Sequence, residues 1–563
     1  MPSPIASPLL AFAVVAAAAA LLPSSSSQQQ QQAPAAAVPP QPRGFYINCG
    51  SSGKEVQGGS IKWIPDDGFT AVGNVSAIDK PDLLPVLATL RYFPDATARK
   101  YCYQLPAVKG TRYLVRTTYF YGGFDGGKDP PVFDQIVDGT RWSAVNTTDN
   151  YRRGMSTYFE VVVQGQGKTL SVCLARRPET ASSPFISALE VIDLDDSMYN
   201  TTDYGRYAMS TVARSRFGCK GEILSYPDDP YNRYWAPFAD ANPMVESHSS
   251  IAPGDFWNQP PAKALKAGVT TSRGKKLTVQ WPQAELPAAT YYVALYFQDS
   301  RTASPYSWRV FDVAINGQEF FRGLNASASG VMVYSSMMQL SGKTEILLTP
   351  NDTSPVGPLI NAGEIYQIVP LGGKTVTRDG MHFQIPPFLI NGILSARYNF
   401  WVMKSSRPFL QFVHAVVAME DLASSFKNPP PDWAGDPCLP QQHSWTGVEC
   451  SKEPPVRVLS VDLKNHGLSG MLPDSIGNLT GVQTIYLSGN KLSGSIPDMS
   501  SMHTLTALRL DGNQFSGTIN PSMEKLVNLK ELYLNNNNLT GKIPGGLKNK
   551  AGLDLRTEGN KFE

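Results

Sequence analysis

The chain has 563 residues, too many for one hydrophobic core, and at roughly 150 residues per domain it is expected to hold about three or four. Its formal charge of +2, with 17% charged residues, excludes the basic footprint of a nucleic-acid-binding protein and also an acidic tail. Partners are expected to be selected by shape and aromatic contact rather than by long-range charge.

At the N-terminus, Leu9 to Leu22 is a run of 14 apolar residues, short of the ~20 needed to span a bilayer but matched to a signal-peptide core. Residues 1–24 are read as a signal peptide although no Lys or Arg precedes the run; the alternative is a disordered Ala-rich tail. Residues 25–42, with Gln28 to Gln32 and an Ala/Pro stretch, form a low-complexity linker. No second run reaches membrane length, that at Phe388 to Val417 being broken by Asn391, Arg397, Lys404 and Arg407. Secretion is the expected route, and glycosylation signals at Asn74, Asn146, Asn200, Asn325, Asn351, Asn478 and Asn538 agree with it. The six cysteines contain no Cys-x-x-Cys pair, which favours disulfides over a metal or redox site.

From about Arg43 to Gly373, Gly and Pro punctuate short runs rich in Val, Tyr, Phe and Thr, among them Tyr113 to Tyr121, Tyr158 to Val163, Tyr291 to Phe297 and Glu345 to Thr349. Strand length without a 3.6-residue period predicts an all-β region, with sandwiches as the architecture. The region is duplicated. Tyr119, Phe120 and Tyr121 precede Phe133 and Asp134 as Tyr296 and Phe297 precede Phe311 and Asp312, and a late P-x-I-x-A-x-E strand closes each copy at Pro184 to Ile192 and Pro358 to Ile365. Two β-domains, 43–198 and 199–379, follow. Between Gly122 and Lys128 the chain meets half of a phosphate-loop pattern, but Asp129 and two prolines stand where a helix must start, so a β-loop is the reading. The cluster Tyr231 to Trp235 offers either a sugar or protein platform or, as the alternative, a snorkelling surface patch or a domain contact.

Residues 380–431 are an atypical insert and linker: Gly380 to Ala415 has no repeat, cap or period, and retained intron sequence is one origin for it. A Trp- and Cys-bearing signature at 432–456, with Asp432, Trp433, Gly435 to Cys438, Trp445 and Cys450, then precedes a fourfold phrase in 457–563. Its pivots His466, Asn490, Asn513 and Asn537 stand 24, 23 and 24 residues apart, so each copy is one coil of a leucine-rich-repeat solenoid with an open C-terminal end. Residues flanking the second inward Leu form two concave columns: Asp462, Tyr486, Arg509, Tyr533 and Lys464, Ser488, Asp511, Asn535. Two Tyr and an Arg in one column suit a modest protein contact; a merely solvated face is the alternative.

The signature resembles the N-terminal cap of plant cell-surface leucine-rich-repeat receptors, W-x-GDPC followed by W-x-G-V-x-C, which implies a Cys438–Cys450 bond. Ile47 to Gly50, Arg91 to Pro94, Tyr296 with Phe297, and Val310 to Gly317 resemble the malectin-like domain that occurs in tandem in plant receptor kinases and receptor-like proteins. The fold class this resemblance implies is mainly β: tandem malectin-like β-sandwich domains followed by a short α/β leucine-rich-repeat solenoid. In the animal namesake a Tyr-Phe pair helps line a diglucose pocket. By resemblance Tyr296 and Phe297 are ligand-binding candidates, Tyr119 and Phe120 the looser match, with Asp125 and Trp235 as further candidates. Relatives continue past the equivalent of Glu563 to a stalk and membrane helix, so either a secreted short form or a missing anchor is expected.

The function these residues imply is non-catalytic recognition at the plant cell surface or wall, of a cell-wall oligosaccharide, a secreted peptide or a receptor-kinase co-receptor, with no cofactor. A structural wall-association glycoprotein is the alternative. A secreted glycosidase would draw on Asp125, Asp134, Asp138 and Glu160, one of them with a raised pKa.

Overall fold

The computed structural model describes residues 42–372 and 417–563, apart from 54, 128, 248–255, 300, 302–307 and 454. The signal peptide, the low-complexity linker up to residue 41, Lys128 and the insert at 380–415 lie outside the described residues.

The β reading holds, and the two copies share one topology. In the first copy the strands Gly44–Asn48, Ala188–Leu194, Arg112–Tyr119 and Thr157–Gln164 face a four-stranded sheet in the order Tyr101–Pro106, Thr169–Arg176, Phe133–Val137, Thr140–Val145. In the second, Tyr207–Phe217, Ala362–Pro370, Leu286–Phe297 and Val331–Gly342 face the sheet Leu277–Gln280, Glu345–Pro350, Arg309–Ile315, Gln318–Ala326. The hairpins Asp138-Gly139 and Asn316-Gly317 sit at the same place in each facing sheet, and all four residues have positive φ. Positive φ at both central residues gives a type I′ turn, whose twist matches that of the strands it joins.

The copies are not separate sandwiches. Thr157–Gln164 pairs antiparallel with Tyr207–Phe217 through Val161↔Ser210 and Val162↔Met209, so one 11-stranded sheet runs through both. That sheet is covered on both faces. On one side lie the sandwich cores, with Tyr119, Phe133 and Phe185 in the first copy and Phe297, Phe311 and Trp281 in the second. On the other lies a single apolar layer shared by both copies, with Tyr46, Phe120, Trp235, Phe256 and Tyr296.

The solenoid has five coils, one more than the four pivots predict. Parallel strands Val458–Asp462, Thr484–Tyr486, Ala507–Arg509, Glu531–Tyr533 and Asp554–Arg556 stack in register, and Leu553, Leu555, Asn560 and Phe562 supply the last rung. The Asn rungs work backwards along the stack. Asn490 donates to the Leu463 carbonyl at 2.8 Å in the coil before it and accepts from Leu468 N–H at 3.0 Å. Asn513, Asn537 and Asn560 repeat the pattern. Each amide thus satisfies buried backbone groups that no ladder reaches. The first coil follows no earlier coil, and there exposed His466 replaces Asn, its ring nitrogen 2.9 Å from the Lys464 carbonyl oxygen.

Candidate functional site

Across the seam of the long sheet, five neighbouring strands each contribute one buried charge to the same face: Glu190, Arg116, Glu160, Arg214 and Glu364. The signs alternate and the contacts are close. Arg116 reaches Glu190 at 2.7 Å and Glu160 at 2.8 Å; Arg214 reaches Glu160 at 2.9 Å and Glu364 at 2.8 Å. Tyr296 donates to Glu364 at 2.6 Å, and Tyr366 takes a bond from Arg214 at 2.8 Å. Burial alone pushes the Glu160 carboxyl up, but the guanidiniums of Arg214 and Arg116 outweigh it and hold it at about 2. An isolated charge here would be prohibitively desolvated; an alternating ladder in which each charge meets an opposite one is tolerated, although one Glu190 carboxylate oxygen is left without a hydrogen bond.

Beyond Val161 and Ser210 the two seam strands part. A bulge in the second strand, between Thr211 and Ala213, turns Val212 outward. The result is a cleft of about 300 Å³ with Glu160 and Arg214 at its floor and Tyr158, Thr211, Val212 and Tyr234 on its walls. Tyr158 and Val212 are each 40% exposed. Tyr234 lies under both ladder and wall: the Arg116 guanidinium stacks 3.5 Å from its ring centroid, and Tyr158 meets it edge-to-face at 5.1 Å. Rings, hydroxyls and an apolar lip are therefore presented over charges that are already paired.

The aromatic candidates sit elsewhere. Tyr119, Phe120, Trp235, Tyr296 and Phe297, the expected ligand contacts, are all buried in this structure. Adjacent residues such as Tyr296 and Phe297 point to opposite faces of a strand, and here both faces are covered. Register also moves the looser match by one residue. Ala188 pairs with Thr118 and Ala362 with Tyr296, so Thr118 and Tyr119 are the equivalents of Tyr296 and Phe297. Trp235 donates to Asp229 at 2.7 Å, and Arg233 forms a buried pair with the same carboxylate at 2.9 Å, so most of the Tyr231 to Trp235 cluster is interior. Asp125 accepts a hydrogen bond from the Tyr121 hydroxyl.

The remaining carboxylates are likewise engaged. Asp138 accepts from Ser171 N–H at 2.8 Å. Asp134 pairs with Arg141 at 2.9 Å and lies 3.7 Å from His443; burial pushes its carboxyl up, but His443 and Arg141 hold it below the usual range.

Asp462, Tyr486, Arg509 and Tyr533 are register neighbours along the parallel strands, and their side chains stack. Lys464 and Arg509 lie over Tyr486 at 4.9 and 4.8 Å, while Arg509 and Arg556 lie over Tyr533 at 4.7 and 4.0 Å. Asp462 pairs with Lys464 at 3.1 Å, Glu531 with Arg509 at 2.7 Å, and Asp554 with Arg556 at 2.9 Å. In the second column Ser488 donates to Asp511 at 2.6 Å, with Asn535 beyond it. Arg556, Glu531 and Asp554 belong to this face and were not among the predicted columns. Stacking fixes long side chains that would otherwise lose entropy on contact, so the face is pre-organised.

The cap is docked on the first β-domain. Arg99 donates its backbone N–H to Asp432 at 3.0 Å and its guanidinium to Ser444 Oγ at 2.8 Å; buried Lys100 donates to the carbonyls of Leu439, at 3.0 Å, and Asp436. Cys438–Cys450 is bonded as expected, and Cys102–Cys173 is bonded too, leaving Cys49 buried and Cys219 half-buried as thiols. All seven Asn residues of the glycosylation signals are exposed, and Asn146 and Asn351 accept from the backbone N–H of their own Thr148 and Thr353, each at 3.0 Å. Among the described residues no helix is long and apolar enough to cross a membrane.

The chain is similar to known plant proteins. PAM74 of Arabidopsis thaliana, a probable LRR receptor-like serine/threonine-protein kinase, is 28% identical over 424 residues, 73% of this chain and 42% of the relative. MEE39 of the same plant, described in the same words, is 28% identical over 436 residues, 74% of this chain and 44% of the relative. The chain therefore spans less than half the length of these curated relatives. Similar solved structures include the ANX2 ectodomain from Arabidopsis thaliana, at 16% identity, 58% of this chain, 97% of that one and a TM-score of 0.49. Another is the plant peptide RALF23 in complex with FER and LLG2, at 18% identity, 58% of this chain, 96% of that one and a TM-score of 0.47. Leucine-rich-repeat family models match residues 481–501 and 528–550. The malectin-like domain model matches residues 47–368, more than half of the chain, and the protein therefore belongs to the malectin-like family, in the branch that carries leucine-rich repeats.

Proposed function

We propose that the protein is a glycosylated, non-catalytic recognition protein of the plant cell surface or wall, and that its ligand enters the cleft between the two β-domains. The observation that carries this reading is the cleft itself: exposed Tyr158 and Val212 stand over a floor whose charges are already paired. Such a site offers ring contact and hydroxyls while holding no poised acid, base or nucleophile. The ligand is a cell-wall glycan or a secreted peptide, and the pre-stacked concave face of the solenoid receives a co-receptor ectodomain. The seven exposed glycosylation signals support passage through the secretory route. An array of wall glycans and secreted peptides, probed with the full chain, tests the reading. A retained ligand lost in Val212→Trp supports it; turnover of any glycan, or a ligand indifferent to that substitution, would overturn it.

A further inference from the structure

The outer face of the first β-domain is built around the Cys102–Cys173 disulfide, which joins directly paired residues of two neighbouring strands. These cysteines are 3% and 1% exposed, and the cap is what seals them. Ala434 packs with them against Ile136 and Ala175, its carbonyl oxygen 3.4 Å from Cys102 Sγ. Gly435, at a φ of +72°, lies so close that a Cβ there would stand 3.3 Å from both sulfurs. The sandwich does not bury these positions by itself. In the second β-domain Ile315↔Ile346 and Leu347↔Thr278 occupy the register of Val137↔Val172 and Cys173↔Cys102; there Thr278 is exposed and Leu347 half-exposed.

We infer that the cap gates the redox chemistry of this bond: the disulfide is out of reach of thiol reductants while the cap is docked and becomes reducible when the cap lifts. A thiolate attacks a disulfide sulfur directly and needs access to it. Ala434 and Gly435 occupy that approach. With the cap away, the thiolate of a small thiol RSH displaces one cysteine as thiolate and forms a mixed disulfide. A second displaces the other cysteine, releasing RSSR, and the two protons of the two RSH end on the two cysteines. The unbonded sulfurs then separate from about 2 Å to roughly 3.5 Å or more, and the Ala434 carbonyl already in contact with Cys102 Sγ opposes that displacement on redocking. Docking and oxidation each favour the other, as linked equilibria must.

The test uses the full oxidised chain, glutathione under native conditions, alkylation and peptide mass spectrometry at Cys102 and Cys173. Wild type is expected to keep the bond, while Lys100→Met, which loses the two carbonyl contacts, is reduced at least about tenfold faster, the factor carried by one charge-assisted hydrogen bond. Equal rates, with amide exchange at 432–447 raised in the variant, would overturn the gate. Wild type also serves without substitution. In sub-denaturing urea, reduction is expected to rise with the same urea dependence as exchange of the cap amides. Reduction that instead tracks exchange of the core strand Arg112–Tyr119 means global unfolding is required and contradicts the proposal.

Discussion

The two β-domains are one fold used twice, and two of their differences bear on what each copy holds. On the outer face the first has a buried disulfide, where Arg99 and Lys100 hold the repeat cap; the second has Thr278 and Leu347 open to solvent at the same register. On the inner face the first pairs Glu190 with Arg116 on the adjacent strand, whereas the equivalent of Arg116 in the second is Ala294, and Glu364 finds its cation in Arg214 instead. One copy is thereby specialised to carry the solenoid. Each copy also contributes part of its charge to the seam, so that the cleft belongs to neither alone. A duplicated sandwich keeps its core and diverges where it must hold something else.

The sharpest way to break this comparison is at the ladder. Arg214→Met strips a cation from both Glu160 and Glu364, and breaking a buried pair costs about 3–5 kcal/mol. Chemical denaturation is expected to show a loss in that range; a loss below about 1 kcal/mol would mean the ladder does not hold the seam. The disulfide comes next. Cys102→Ser with Cys173→Ser opens a loop with a sequence separation of 71 residues, and the chain-entropy estimate for such a loop is about 4 kcal/mol. The same assay is expected to show the loss together with faster amide exchange in the cap.

The acid limb of stability isolates one rung. The Glu160 carboxyl moves from its ordinary 4.5 to about 2 in the folded chain, so the unfolded chain binds the proton first. Its contribution is fully present above about pH 4.5 and is lost as pH falls through about 2. Denaturation curves at a series of acid pH values are expected to show this fall, and Glu160→Gln is expected to remove that part of it. The smallest effect belongs to the open outer face of the second domain: Thr278→Ala is expected to change stability by no more than about 0.5 kcal/mol, since nothing docks there among the described residues.

Much of this was legible in residues alone. Repeating Leu and Asn marked the solenoid because its coils touch only their neighbours, and the cap bond was implied by the resemblance of its signature to a receptor cap. The charge ladder was not legible, because alternating Arg and Glu on five strands become neighbours only through strand order. The burial of the aromatic pair was not legible for a similar reason: period-2 alternation tells that Tyr296 and Phe297 take opposite faces, but not that each face is covered. Arg214 and Val212 gave no signal, since a bulge moves one residue out of an otherwise ordinary strand. Glu190 and Glu364 did give one, in the duplicated P-x-I-x-A-x-E phrase, which marks a buried acid in each copy.

On the proposed reading the ligand is recognised at the seam between the copies and not on the solenoid, whose face receives the co-receptor. It is tested most directly by binding isotherms of an array-selected ligand to wild type, to Val212→Trp and to the double variant Tyr486→Ala with Tyr533→Ala. Loss of at least about tenfold in affinity for Val212→Trp, with the double variant unchanged, is the predicted result. Binding lost in the double variant and kept in Val212→Trp would contradict it.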